Sequence, residues 1–209
     1  MIGLIVVIVL LTLYFLYRED IETFLSRRNI CNDIDGRCYN VVEKFAESQQ
    51  ASKLLAELNK FCLQFMRHLR SKYVWAYSDN QEATDLVTYL LSNYNPDGII
   101  ENAPTNNVNT SYVDDKGRVF ALCLREKISG KNTFHDIHDL QFVALHEMAH
   151  MANVTFGHET DFWEIFKFLL KEANEANLHD PRDYSTNPMN YCSLLVAHNP
   201  YFDESIRDI

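Results

Sequence analysis

The sequence predicts an α+β fold carrying an N-terminal transmembrane helix, and three stretches of the chain support this. Between Ser48 and Lys72, Leu54, Leu55, Leu58, Phe61, Cys62, Phe65, Met66 and Leu69 recur at helical spacing and share one face. Tyr112-Val113 and Val119 to Leu124 read as two strands joined by Asp114-Asp115-Lys116-Gly117, which makes a hairpin. Ile2 to Tyr17 is an almost unbroken apolar run, with Tyr14 and Tyr17 suited to a membrane interface and Arg18 placed to snorkel.

No basic residue precedes that run and no small-residue cleavage site follows it, which favours an uncleaved anchor over a signal peptide. Arg18, Arg27 and Arg28 come after it, so the positive-inside rule puts the rest of the chain on the cytosolic side of a single-pass membrane protein. The expected organisation is a transmembrane anchor at 1–18, a stalk at 19–34 and a folded domain at 35–209.

Within the domain, Asp35-Gly36 marks a turn before a short strand at Cys38 to Val42. The Ser48 helix carries Lys53, Lys60, Arg67, Arg70 and Lys72 on its other side, which reads as a solvated face. Gln81 to Asn93 forms a second helix, stopped by Asn95-Pro96-Asp97-Gly98. A polar loop spans Asn102 to Asn109. Another helix runs from about Glu159 to Asn177, with Phe162, Trp163, Phe166, Leu169, Leu170 and Ala173 as its buried stripe. The tail from Pro181 is loop-rich.

Composition narrows the function classes. With 47% hydrophobic and 12% aromatic residues the 209-residue chain can bury a core. A formal net charge of -10 argues against a nucleic-acid partner held through its phosphates. The five cysteines, Cys31, Cys38, Cys62, Cys123 and Cys192, are scattered and odd in number, which fits free thiols in a reducing compartment; a Cys31–Cys38 bridge stays open.

The chemistry concentrates between Leu140 and Trp163. His146-Glu147-Met148-Ala149-His150 is an H-E-x-x-H motif inside an apolar helix, where residues four apart share a face and both imidazoles reach one ion. Buried histidines and a glutamate are costly unless paired or metal-bound. Glu147, next to the first ligand, is placed to accept a proton from a metal-bound water. Gly157 permits a sharp reversal that brings His158 back as a third ligand; Glu172 or Glu175 on the following helix is the competing choice. His135 and His138 precede the motif helix, where Asp136 or Asp139 can cap it. They read as loop histidines, with a second metal site as the alternative. Asn109-Thr110-Ser111 and Asn153-Val154-Thr155 match the glycosylation sequon, and a glycan on Asn153 would crowd the motif.

The motif, the Gly157-His158 pair and Phe162 four residues beyond resemble the WLM/SprT-like group of zinc metallopeptidases, more closely the members encoded by large eukaryotic DNA viruses. The resemblance extends over Phe120 to Leu170, with Tyr191-Cys192 as a further feature. It implies a zincin-like fold, a small, mostly antiparallel sheet packed on the H-E-x-x-H helix. It also implies that His146, His150 and His158 bind Zn2+ and that Glu147 is the general base. The spacer between His150 and His158 differs from the metzincin spacing and no methionine-turn follows. Acidity and the expected anchor put the DNA-repair role of cellular members in doubt.

The expected function is a membrane-anchored zinc endopeptidase acting on a protein or peptide, in a host-cell or virion membrane. Tyr184 or Tyr191 would supply the oxyanion donor, and the hairpin strand before the motif would hold an extended substrate. A zincin scaffold with little turnover, serving a structural role, and a DNA-associated repair-type protease are the competing readings.

Overall fold

The computed structural model describes residues 3, 5–14, 27–43, 45–102, 110–126, 133–155 and 157–209. The fold is α+β. Strands β1 (Arg27–Cys31), β2 (Cys38–Val42), β3 (Ile99–Asn102), β4 (Tyr112–Asp114) and β5 (Val119–Cys123) form a sheet in the order β1-β2-β3-β5-β4. Its helices are α1 (Ser48–Leu69), α2 (Gln81–Asn93), α3 (Ile137–Ala152) and α4 (Thr160–Glu175), and α1 runs on into a π-helical turn at Arg70–Trp75. A separate hairpin joins β6 (Met189–Tyr191) to β7 (Leu194–Val196).

The sheet is mixed, which corrects the expectation of a mostly antiparallel one. β1 pairs antiparallel with β2 and β4 with β5, but β2–β3 and β3–β5 are parallel. The cause is the helical crossover: α1 and α2 lie between β2 and β3, and a parallel pair needs such a connection. The expected β4–β5 hairpin is present, in the register Val113↔Phe120. Its turn rests on Gly117, whose φ is +114° and whose absent Cβ would lie 2.3 Å from the Asn93 carbonyl oxygen.

The expected membrane anchor is also corrected. Residues 5–14 are helical with exposed side chains, but among the described residues no helix is long and apolar enough to cross a membrane. Ten helical residues rise about 15 Å, half of a ~30 Å hydrocarbon core. The single-pass membrane localisation falls with it. The first half of the expected stalk, residues 19–26, lies outside the described residues, whereas Arg27–Cys31 is an edge strand of the sheet.

α1 covers the sheet through β2 and β3 and also meets α3, which packs in turn on α2 and α4. Asn80 and Asp136 cap α2 and α3, their side-chain oxygens accepting from the backbone N–H of Ala83 and His138. One buried ion pair ties the sheet together. Arg125 Nε donates to Glu101 Oε1 at 2.8 Å, both residues wholly buried, while Glu101 Oε2 accepts from the Val42 N–H. The Arg125 guanidinium stacks 4.3 Å from the Phe134 ring.

Four of the five expected free thiols are paired. Cys31–Cys38 bridges β1 to β2, Cys123–Cys192 bridges β5 to the β6–β7 turn, and Cys62 is a buried free cysteine. Odd number and scattered spacing misled the expectation, because strand pairing and the return of the tail set which cysteines meet.

Candidate metal centre

α3 is apolar on nearly every side, so its C-terminal half delivers His146, Glu147 and His150 from the core to the surface of a cleft. The helix ends at Asn153, whose side-chain oxygen accepts from the backbone N–H of Thr155 and starts the reversal. Lys116 braces that turn by donating to the Asn153 carbonyl at 2.8 Å. Gly157, at φ +90°, then turns His158 back towards the helix. Asn153 is only 3% exposed, which leaves no room for a glycan at that sequon; Asn109 lies outside the described residues.

The three imidazoles converge. His158 Nε2 lies 3.1 Å from His146 Nε2 and 3.2 Å from His150 Nε2. Zinc–nitrogen bonds of 2.0–2.1 Å in a tetrahedron imply nitrogen–nitrogen edges of about 3.3 Å. The donor set therefore fits zinc in type, number and spacing. Burial holds all three histidines below their ordinary range, His146 at about 3 and His150 at about 4, reinforced for these two by neighbouring positive groups. Neutral imidazoles with free lone pairs are what a metal requires.

Two residues of α4 shape the triad. Phe162 is buried beneath it, its ring centroid 4.9, 4.4 and 4.6 Å from those of His146, His150 and His158. Trp163 Nε1 donates to the His158 carbonyl at 3.0 Å and fixes the backbone of that histidine. Glu147 is 5% exposed, and burial pushes its carboxyl up to about 8. The cleft above these groups holds about 660 Å³ and is bordered by Tyr112, Val113 and Asp114 of β4, the outer strand of the sheet.

The other expected residues are distributed differently. Glu172 is buried among Tyr73, Lys72 and His68, accepting at 2.8 Å from the Tyr73 hydroxyl and at 2.9 Å from Lys72 Nζ, and Glu175 pairs with Lys72. Neither lines the cleft. Tyr184 donates to Asp139 Oδ1 at 3.1 Å and lines a separate cavity of about 550 Å³ with Asp136 and Arg182. Tyr191 lies closer, in a cavity shared with His146 and Glu147, but its hydroxyl contacts Ser111 Oγ at 2.5 Å and donates to the Cys123 carbonyl at 2.8 Å. His135 faces the Cys123–Cys192 sulfurs, with Nε2 3.3 Å from Cys192 Sγ, whereas His138 stacks on His179 at 4.2 Å. They do not form a joint site.

Sequence reasoning missed Ser111, which lines the cleft and the Tyr191 cavity, and placed Trp163 in the buried stripe of α4 without the hydrogen bond it donates. Trp163 carried a signal in its position directly after Phe162, facing a turn that needs a donor. Ser111 carried none.

Three relatives, all viral, match part of the chain. An uncharacterized protein of Acanthamoeba polyphaga mimivirus is 40% identical over 98 residues, 47% of this chain and 48% of that protein. Uncharacterized proteins of Invertebrate iridescent virus 6 and Invertebrate iridescent virus 3 are 36% identical over 107 residues and 37% identical over 84. The chain spans about half the length of these curated relatives, 57% and 50% for the latter two. No family model matches the chain, and no solved structure matches it.

Proposed function

We propose that the chain is a zinc-dependent endopeptidase of viral type, in which His146, His150 and His158 hold the metal. The observation that carries this reading is the convergence of three neutral imidazole nitrogens at zinc-ligand spacing beside a buried glutamate. When bound, zinc would lower the pKa of a water towards neutrality and polarise a substrate carbonyl. Glu147 takes the proton of the attacking water and returns it to the leaving amine, from its place beside the first ligand on α3. β4 borders the cleft as an edge strand and offers main-chain hydrogen bonds to an extended peptide. Phe162 and Trp163 hold the ligands in place.

Metal analysis of the purified protein, combined with cleavage of a mixed peptide library, tests the proposal. Near-stoichiometric zinc, lost in His158→Ala, and cleavage that falls on the order of 10²–10⁴-fold in Glu147→Gln with zinc retained are expected. Cleavage undiminished in Glu147→Gln would remove the peptidase assignment.

A zinc-holding scaffold with little turnover is the second reading. The Tyr184 hydroxyl donates to Asp139 away from the cleft and the Tyr191 hydroxyl donates to the buried Cys123 carbonyl, which leaves the oxyanion without the donor that was expected. Stoichiometric zinc with no cleavage of any peptide would favour it.

A further inference from the structure

Beside the metal cleft lies a second cavity of about 270 Å³ with a mostly apolar lining. Phe142 and Val143 come from α3, Trp163 and Phe166 from α4, and Leu194 and Val196 from the β6–β7 hairpin. That volume suits one large side chain rather than a drug-sized ligand. The cavity and the cleft share Thr110, Ser111, His146, Glu147 and Leu194. A peptide lying along β4 therefore has a side chain next to the reacting bond within reach of it.

The outer wall of the cavity is the hairpin. Tyr191 pairs with Leu194, which leaves Cys192 and Ser193 as a two-residue turn. Both have positive φ, 47° and 70°, as a type I′ turn requires, yet neither is the glycine or asparagine that adopts it readily. A covalent link and hydrogen bonds hold this turn against the sheet. Cys192 is bonded to Cys123 at the end of β5, and the Tyr191 hydroxyl donates to the Cys123 carbonyl. At the rim Leu194 and Leu195 are 52% and 67% exposed, apolar surface placed where a substrate would pass.

We propose that this cavity receives a bulky apolar side chain adjacent to the scissile bond, and that the Cys123–Cys192 disulfide holds its hairpin wall in place. Selection for such residues is then a property of the oxidised protein. The inference rests on the peptidase reading above. Opening the disulfide takes two electrons and two protons from a dithiol, which is itself oxidised to a disulfide, and yields the Cys123 and Cys192 thiols. The turn then keeps the Tyr191 hydrogen bonds and the weaker contacts of Cys192 Sγ with the Arg125 carbonyl and His135, with no covalent tie to β5.

Binding and turnover are read separately. The chain has two tryptophans, and Trp75 is 66% exposed, so Trp75→Phe leaves Trp163 in the cavity wall as the fluorescent reporter. Zinc-loaded Trp75→Phe protein is titrated with capped hexapeptides that carry Phe, Leu, Ala or Asp at one position, and cleavage of the same peptides is followed in parallel. Phe and Leu peptides are expected to bind about 10- to 200-fold more tightly than the Ala peptide, the range one apolar pocket delivers. Cys123→Ser/Cys192→Ser in the same background is expected to bring that ratio close to one, whereas Cys31→Ser/Cys38→Ser, which keeps the latch, preserves it. Equal affinity for all four peptides overturns the pocket, and a ratio unchanged without the Cys123–Cys192 bond overturns the latch. Apolar-selective binding without cleavage supports the pocket and overturns the peptidase reading. Should the double-serine variant fail to fold, Val143→Phe fills the cavity with the disulfide intact. Loss of the preference there supports the proposal, and its survival overturns it.

Discussion

Trp163 and Phe162 shape the three-histidine cluster in ways that their chain positions announce only in part. Phe162 lies under three imidazoles at once, so Phe162→Ala should cost about 3–5 kcal/mol of stability and weaken zinc binding with it. Trp163→Phe keeps a ring but removes the donor to the His158 carbonyl. It should leave the fold intact and weaken zinc by up to about 10-fold in competition with a chelating dye, since one neutral hydrogen bond that fixes the His158 backbone is worth about 1 kcal/mol. A melting temperature that drops while zinc affinity stays unchanged would assign Trp163 to packing alone. The protonation of His179 supplies a further residue-scale test. Burial, aided by the charges of His138 and Arg182, lowers it to about 3 in the fold. Its folded pKa lies below the unfolded value, so its contribution to stability is complete above pH ~6.5 and is lost as pH falls from there towards 3. Between pH 7.5 and 5, wild type should lose about 1–2 kcal/mol more than His179→Gln in metal-free urea denaturation, and equal losses would show that burial does not neutralise this ring.

At the scale of elements, the contacts between helices and turns explain where the competing ligand went. Glu172 sits on α4 at a spacing that allows a metal ligand, but the π-helical end of α1 brings Tyr73 and Lys72 against it. The helix face that carries Glu172 is therefore turned away from His146 and His150. Gly117 shows the same dependence on a neighbouring element. Gly117→Ala puts a methyl against the Asn93 carbonyl in a left-handed conformation, which should destabilise the protein by about 1–3 kcal/mol. Because Lys116 braces the turn before His158, zinc affinity should fall as well. Thermal melts with and without zinc check both effects, and a melting temperature within error of wild type would refute the close approach.

For the whole molecule, the proposed zinc site predicts a link between metal and fold. Zinc that binds only the folded chain at about 1,000 times its Kd adds ~4 kcal/mol, so a strong chelator should lower the melting temperature of wild type and leave His158→Ala unaffected. The buried Glu101–Arg125 pair connects the sheet to the segment leading into α3. Glu101→Gln strands a buried guanidinium and should cost about 3–5 kcal/mol in urea denaturation, a larger effect than removing any exposed ion pair.

Much of the centre was legible in the chain itself. The i, i+4 histidines on an apolar helix, the glycine before His158, the aromatic after it and the β4–β5 hairpin are local patterns, and local backbone geometry is enough to place them. Periodicity likewise marked α1, α2 and α4. What it could not supply was direction over distance. Parallel pairing of β2 with β3 depends on a crossover through two helices, and the Cys123–Cys192 bond joins residues 69 apart. The tyrosines followed that long-range path too: the tail returns so that Tyr191 faces Glu147's cavity with its hydroxyl already bound, while Tyr184 lands on Asp139. An apolar run at the N-terminus matched a membrane span in composition, but the length of described helix falls short of one. Side-chain chemistry and short-range spacing determined which residues gather at the metal centre. Only the packing of distant segments decided which groups are left free to act there, because a hydrogen bond or disulfide between them has no signature in either stretch alone.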